Sequence, residues 1–340
     1  MSARAWTLFA AVSTVWGIPY LFIKIGVDGG FPPVDLAWVR IVLGGCVLLG
    51  LAARAGVLGQ LRGHWRYLIA YAVAEVSIPF PLIATGERYV ASSLAAIIVA
   101  SVPLIVALLA LRFDRSERAT GTRMTGLVVG FGGVVLLVGL DASSSLHSLL
   151  GAGAVLTGAV GYACGPMIFK RGLADVDPRA GMGASLAVAA VILTPLAVVD
   201  APARVPSGGA LASVAVLGLI CTALGFVLMA FLVSDIGPGR AVVITYVNPI
   251  IAVALGVSFL GERPGAGALA GLLLILAGSW LSTDGRLPPG LLSPLSGLRR
   301  ARLRRVATGE QAPSEVLGPE NGGQEGEPSL ATRRNVLATC

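Results

Sequence analysis

Ten long apolar stretches follow one another along this chain of 340 residues, separated by short polar connections. A helix needs about 20 apolar residues to cross a hydrocarbon core. The stretches lie at about 6–26, 34–53, 67–85, 90–111, 122–140, 148–169, 180–199, 210–233, 238–260 and 265–283. Because lipid offers no hydrogen bonds to an open backbone, each stretch must form a helix. The pattern predicts an all-α membrane protein with ten transmembrane helices.

The composition excludes a soluble globular domain, since 55% of residues are hydrophobic, 13% are charged and the mean hydropathy is +0.84. The net charge of +7 does not indicate a nucleic-acid partner, because the basic residues cluster at the ends of the apolar stretches. The four cysteines and two histidines have no metal-ligand spacing. We therefore expect no cofactor and no metal.

The apolar region is duplicated. Lys24 and Pro103 are 79 residues apart, as are Lys170 and Pro249, which gives an offset of 146. At an offset of 145, the residues Gly126, Leu127, Gly133 and Leu136 match Gly271, Leu272, Gly278 and Leu281. Because five crossings are an odd number, the second half must enter the membrane from the opposite face. We predict two inverted five-helix repeats, 6–140 and 148–283, an architecture typical of secondary transporters.

The distribution of charge predicts the orientation. With the N-terminus inside, twelve Lys and Arg residues lie in cytoplasmic segments and three lie outside. An even number of spans returns the C-terminus to the cytoplasm. Residues 284–340 are rich in Pro, Gly, Ser, Glu and Arg, which is typical of a disordered tail. Its arginines at 299, 300, 302, 304 and 305 either bind anionic lipid or only reinforce the orientation.

Several motifs resemble the EamA-type drug/metabolite transporters. They are a Trp-Gly…Lys element at 16–24, the stretch 86–96 continuing to Pro103, its equivalent 239–249, and Gly-Glu-Arg at 261–263. The second half departs from the family pattern at Gly161-Tyr162-Ala163. The resemblance implies a ten-helix inner-membrane carrier that works by alternating access. It also implies a cavity lined by helices 1, 3, 4, 6, 8 and 9, with helices 2, 5, 7 and 10 more peripheral.

Glu75 is the principal site candidate. It lies 9 residues after Arg66 and 12 before Glu87, near the middle of its helix. A charge at that depth costs about 2.5–3.5 kcal/mol on insertion scales, so we expect it to face a cavity or a partner. It could couple transport to protons or hold a substrate amine. The alternative is a structural carboxyl bonded to Tyr71.

Further candidates for substrate contact are Trp16 and Tyr20, spaced i, i+4 on helix 1, Tyr162 at the position equivalent to Trp16, and Asn248 and Tyr246 on helix 9. Each could instead be a packing residue. Proline frees backbone carbonyls, so Pro79, Pro103 and Pro249 are candidates for kinks or hinges.

Four other charged sites have structural interpretations. Lys24 is expected to snorkel at the outer end of helix 1, and Arg40 to snorkel or to pair with Asp35. The pairs Glu87-Arg88 and Glu262-Arg263 are expected to organise loops.

The sequence thus predicts a secondary transporter, not an enzyme, that exports small metabolites such as amino acids, with protons as coupling ion. Its partners are a small-molecule substrate and the lipid bilayer of the cytoplasmic membrane. Multidrug efflux and uptake remain alternatives within this class. An intramembrane enzyme or a scaffold is the alternative of another class, but Glu75 is the only carboxylate deep in a span.

Overall fold

A computed structural model describes residues 2–113, 121–142, 145–237, 241 and 243–282. Within these ranges all regular secondary structure is helical, which confirms the predicted class. The predicted tail, 284–340, lies outside the described residues together with its arginine cluster. The described residues belong to one compact unit.

Ten long helical segments are described, besides a short 3₁₀ helix at Leu58–Leu61. They are α1 Ala3–Asp28, α2 Pro33–Arg54, α3 Trp65–Gly86, α4 Ser92–Leu109, α5 Thr122–Asp141, α6 Leu146–Gly172, α7 Pro178–Asp200, α8 Gly208–Ile236, α9 Ile244–Leu260 and α10 Ala266–Ser282. The first eight are long and apolar enough to cross a membrane, whereas α9 and α10 are apolar but have 17 residues each. Residues 238–240, in the predicted ninth stretch, lie outside the described residues.

Helix ends follow from local capping chemistry. Proline is the first residue of α2 and α7, where its missing N–H costs nothing. The side chains of Ser145 and Ser207 accept backbone N–H groups at the starts of α6 and α8. At the end of α9, Gly261 adopts a left-handed φ of 64°, which turns the chain and brings Glu262 back against that helix.

Three helices contain π-helical turns, in which hydrogen bonds skip one residue further than in an α-helix. One spans Ala72–Ser77 in α3 and another spans Val216–Leu224 in α8, while a third, Val138–Ala142, ends α5. An offset of 146 maps 72–77 onto 218–223, inside the π segment of α8. The duplication therefore extends to an irregularity of the backbone.

Helices α5 and α10, which are equivalent in the two halves, pack against each other in antiparallel directions. A Cβ added to Gly126 would lie 2.7 Å from the carbonyl of Gly278, and one added to Gly133 would lie 2.9 Å from that of Gly271. Because Gly126 is equivalent to Gly271 and Gly133 to Gly278, each contact is the counterpart of the other. The two contacts are therefore reciprocal, and the glycines let the backbones approach.

The equivalent helices α2 and α7 are also antiparallel. Gly45 packs on Leu186, while Gly183, earlier in α7, packs on the backbone of Leu49, later in α2. Trp38 Nε1 adds hydrogen bonds of 3.1 Å to the Ala190 carbonyl and the Thr194 hydroxyl. This packing fixes the face of α2 that is turned toward the centre of the bundle.

Apolar side chains lie on the outside of the bundle as well as inside it. Val135, Val191 and Phe259 are 72%, 73% and 72% exposed, whereas Ile41 and Ile97 are fully buried. Large apolar groups on an outer surface require a partner or lipid around them. The exposure pattern fits a bundle surrounded by a bilayer.

Candidate functional site

Glu75 lies in the π segment of α3, against a groove formed by small residues of α6. A Cβ on Gly165 would overlap the Glu75 carboxylate, and one on Gly161 would overlap the Ala74 carbonyl. The carboxylate is partly buried, and its Oε2 is enclosed and has no hydrogen-bond partner among the described residues. The glycines of α6 are thus what gives this side chain its place between the helices.

Two tyrosines flank Glu75. Tyr71 is buried edge-to-face against Phe169, with ring centroids 5.5 Å apart, and Tyr162 packs on Phe80 at 6.4 Å. Both lie close enough to Glu75 for its charge, when the carboxyl is ionised, to act on their hydroxyl groups. The Tyr71–Glu75 hydrogen bond of the alternative interpretation is not among the hydrogen bonds of the described residues, and the Tyr71 ring packs on Phe169 of α6. The structure therefore brings Tyr162, but not a Tyr71 hydrogen bond, to the principal candidate.

Trp16 has the corresponding position in the other half. Its indole Nε1 donates to the Cys221 carbonyl at 3.2 Å, and its ring packs on Phe226 at 5.8 Å. Trp16 and Tyr162 are 146 residues apart, as are Glu75 and Cys221. Each half thus places an aromatic residue beside the π segment of the other half, at equivalent positions.

Tyr20 has different neighbours from Trp16, although the sequence predicts one shared face. Helix α1 is interrupted at Ile18 and resumes with Pro19. Tyr20 packs against the same apolar core cluster as Tyr162, and it lies near the charged groups Glu87 and Arg40. It therefore belongs with the Tyr162 side of the bundle.

Asn248 connects α9 to α1. Oriented so that both its amide atoms are satisfied, its nitrogen donates to the Ser13 carbonyl at 3.1 Å and to the Ile244 carbonyl at 2.9 Å. Gly17 allows the close approach, since a Cβ there would lie 3.2 Å from the Asn248 carbonyl. Tyr246, one turn earlier than Pro249, is partly buried on the same helix. The amide holds two helices together in this structure.

The three candidate hinge prolines have different local structures. Pro79 follows the π segment and begins the last helical part of α3, and α4 is interrupted between Val99 and Val102, just before Pro103. In contrast, α9 continues without a break through Pro249. The equivalent positions 103 and 249 therefore differ in the local regularity of their helices.

The interpretation of Arg40 as a snorkelling residue or a partner of Asp35 is wrong. Arg40 is 8% exposed, its Nε donates to Thr222 Oγ1 at 2.9 Å, and its guanidinium lies 4.0 Å above the Phe80 ring. It faces inward because α2 and α8 approach closely at Gly44, where a Cβ would lie 2.7 Å from Thr222 Cγ2. Sequence reasoning missed this residue because it placed helix 2 at the periphery.

Lys24 is also turned inward instead of snorkelling freely. Its Nζ donates to the backbone carbonyl of Glu87 at 2.9 Å and lies 3.2 Å from Asp28. Glu87 is fully buried, and neither carboxylate oxygen has a hydrogen-bond partner among the described residues. Arg88, by contrast, is exposed. A role in organising a loop, as predicted, does not explain why Glu87 is buried.

Glu262 caps the start of α4. Its two carboxylate oxygens accept the backbone N–H groups of Ser92 at 2.7 Å and Ser93 at 2.9 Å. Burial would raise the pKa of Glu262, but hydrogen bonds from Ser93 and Ser92 outweigh it and hold the pKa below its usual value. This contact joins the second half to the first at one end of the bundle, so the expected structural role of Glu262 has a definite geometry.

A cavity of about 240 Å³ lies beside this cap, not at Glu75. Its polar lining includes Tyr89, Ser93, Asp141, Ser148 and Arg263. In the described part of the chain, no three His, Cys, Asp or Glu side chains are grouped as metal ligands.

The two halves, residues 4–139 and 149–283, each match the EamA-like transporter family. The chain belongs to the EamA-like transporter family. This agrees with the resemblance of its motifs, and it identifies a multi-pass membrane protein of a transporter family. A solved crystal structure matches the fold with a TM-score of 0.61 at 20% identity, covering 84% of this chain and 98% of its own.

Curated relatives are also transporters by name. An uncharacterized inner membrane transporter of Escherichia coli, YedA, is 27% identical over 74% of this chain and 81% of its own length. A probable terminal-alkyne amino-acid exporter of Streptantibioticus cattleyicolor is 29% identical over 83% and 93%. A probable amino-acid metabolite efflux pump of Escherichia coli is 23% identical over 84% and 96%.

Proposed function

We propose that this protein is a secondary transporter that exports small metabolites, amino acids or related compounds, by alternating access. The observation that carries the proposal is the position of Glu75. It lies 10 residues after Trp65 and 11 before Gly86, about 15 Å from either end of α3. Its enclosed oxygen has no donor among the described residues. An ionised carboxylate there gains from binding a proton or a substrate ammonium group.

The architecture in this proposal is ten spanning helices in two inverted repeats, 6–140 and 148–283, with both termini in the cytoplasm. Antiparallel packing of α5 on α10 and of α2 on α7 supports the inversion, because a parallel repeat would align equivalent helices in one direction. A reporter enzyme fused after residue 283 tests the orientation. Activity characteristic of the periplasm would contradict it.

In this mechanism the bound substrate lies between the halves, near the π segments of α3 and α8. Trp16, Tyr20 and Tyr162 supply aromatic faces, and Asn248 and Tyr246 supply polar groups on α9. Asn248 currently bonds to α1, so its amide would have to exchange partners when α9 moves. Pro79, Pro103 and Pro249 are the proposed positions at which helices bend during that motion.

Proton coupling through Glu75 is tested with purified protein in proteoliposomes. A panel of amino acids and drugs is offered with and without an imposed pH gradient, for wild type, Glu75→Gln and the control Asp175→Asn. Asp175 is an exposed carboxylate in the connection between α6 and α7. We expect the gradient to drive wild type and the control, and Glu75→Gln to respond at least tenfold less.

The outcomes separate the parts of the proposal. Wild-type, gradient-dependent transport by Glu75→Gln would refute coupling through this residue. Preferential transport of drugs would favour multidrug efflux, and inward accumulation under the physiological gradient would favour uptake. If the wild type moved no compound of the panel, transport of small metabolites itself would be refuted. Names of relatives that include amino-acid export support beginning the panel with amino acids.

A further inference from the structure

Arg40 is a charged side chain buried inside the bundle, and the proposed proton coupling through Glu75 does not involve it. Arg40 is 7 residues from the start of α2, about 10 Å along its axis, and 14 residues from its end. Its contacts come from three helices, since Phe80 belongs to α3 and Thr222 to the π segment of α8. The guanidinium is thus held between α2, α3 and α8, at the π segment of α8.

Arg40 forms no ion pair with another described residue, and the buried carboxylate of Glu87 acts on it only at longer range. The ion pairs between described residues join Arg4 to Asp235, Lys24 to Asp28, His64 to Asp175 and Arg179 to Asp177. A buried charge is ordinarily retained only with a partner of opposite sign. An anion that arrives with the substrate would supply that partner.

The Nη donors of the guanidinium remain for such an anion. Arginine has five N–H donors, and the hydrogen bond that the described residues give it uses only Nε. The Thr222 hydroxyl that accepts this bond donates in turn to the Leu217 carbonyl at 2.8 Å, so Nε is oriented by a fixed group. The enclosed polar atoms without a partner include Glu75 Oε2 but no nitrogen of Arg40. Its Nη groups therefore have no hydrogen bond from the described residues and are not fully enclosed, in a side chain that is 8% exposed.

Arg40 and Glu75 are connected by an aromatic pair. The guanidinium lies over Phe80, Phe80 packs on Tyr162, and Gly161, which precedes Tyr162 on α6, packs against Ala74, which precedes Glu75 on α3. A cationic and an anionic group thus flank the same aromatic surface. This arrangement complements a small molecule that carries a carboxylate and an ammonium group on an apolar body.

We propose that Arg40 binds the carboxylate of the substrate, with the substrate's amine directed toward Glu75. A single planar guanidinium fits one carboxylate through two parallel hydrogen bonds. A phosphate ester carries more charge and would need a second cation, whereas Lys24 is already engaged by Asp28 and the Glu87 carbonyl. The inference rests on the proposed transport function and specifies its substrate class as carboxylate-bearing amphiphiles.

The test compares compounds that differ only in the carboxylate. For each amino acid that wild type moves in proteoliposomes, transport of the acid is measured beside its amide and its decarboxylated amine. The proteins are wild type, Arg40→Gln, Arg40→Lys and the control Arg54→Gln at the far end of α2. Arg40→Gln should lose about 10–100-fold in transport efficiency for the acid and little for the amide. Arg40→Lys should be intermediate, because it keeps the charge without the planar fork.

Each outcome has a definite meaning. Equal losses for acid and amide in folded Arg40→Gln, judged by gel filtration and thermal unfolding, would show a structural role and overturn the assignment. Transport by wild type of amines and amides alone would overturn it while the transporter proposal stands. Transport of no compound would refute the proposed function first. If Arg40→Gln does not fold, a selective loss for the acid in Arg40→Lys supports the proposal, and a uniform loss refutes it.

Discussion

Removing the Glu262 carboxylate should weaken the joint between the two halves of the protein. The carboxylate accepts two backbone N–H groups at 2.7 and 2.9 Å. Hydrogen bonds to charged groups contribute about 1.5–3 kcal/mol each, and a negative charge at a helix N-terminus adds about 0.3–1 kcal/mol. Glu262→Gln keeps one acceptor oxygen, so the free energy of unfolding should fall by about 1–3 kcal/mol. Glu262→Ala keeps neither acceptor and should lose about 3–6 kcal/mol, the sum for the two bonds.

The measurement is unfolding in mixed detergent micelles, followed by circular dichroism as the mole fraction of denaturing detergent rises. Asp175→Asn is the control, because its side chain is 76% exposed and surface changes of this kind alter stability by less than about 0.5 kcal/mol. If Glu262→Ala were as stable as wild type, or if the control lost as much, the cap would not be the joint that its geometry indicates.

The pH dependence supplies an independent check on the same cap. The folded-state pKa of Glu262 lies below its usual value because the bonds from Ser93 and Ser92 outweigh the effect of burial. The stabilisation is therefore fully present above the ordinary glutamate pKa of about 4.3 and is lost as pH falls through the lower folded-state pKa. The gap in stability between wild type and Glu262→Gln should close in that range. A gap that widened on acidification would refute the reasoning.

Two further predictions concern α6 and α7. Gly165→Ala places a methyl where the Glu75 carboxylate lies, so we expect transport in proteoliposomes to fall about tenfold with the fold retained. The control Gly153→Ala, whose methyl meets open space, should transport at the wild-type rate. Equal transport rates for the two variants would count against a role of Glu75. Asp177→Ala removes the N-cap of α7 and two bonds to the Arg179 side chain, so stability should fall by about 1 kcal/mol at pH 7. The hydrogen bonds with the Arg179 side chain lower the pKa of Asp177. The difference in stability between wild type and Asp177→Ala should therefore disappear as the pH falls below that pKa. A difference that persisted at low pH in the same unfolding assay would refute this prediction.

The helices and their duplication could be predicted from the sequence because apolar length and residue spacing encode them directly. The predicted stretch 34–53 corresponds closely to α2, Pro33–Arg54. The π segments could not be predicted in this way. A π turn adds one residue to a turn without changing composition, and its placement at equivalent positions in α3 and α8 emerges only from the backbone.

Residues of the candidate site could be predicted from the sequence when a charged side chain falls within an apolar helix, where such groups are rare. Glu75 has that property, and so does Arg40, but the sequence gives no means of deciding which way a side chain near a helix end will turn. That direction depends on packing between distant segments, here the approach of Gly44 to Thr222. The burial of Glu87 could not be predicted for the same reason, since it too results from packing between segments that are distant in the sequence.

The two halves share a scaffold but not its charges. The offset of 146 relates Arg40 to Leu186 and Glu75 to Cys221, so both charged groups of the proposed site lie in the first half. Leu186 is 1% exposed and packs against Gly45 as part of the α2–α7 interface. An apolar residue at this position is therefore compatible with the fold, which means that the fold itself does not demand a guanidinium at position 40. Since a buried charge reduces stability unless something offsets it, the asymmetry is best explained by a ligand that the first half must hold.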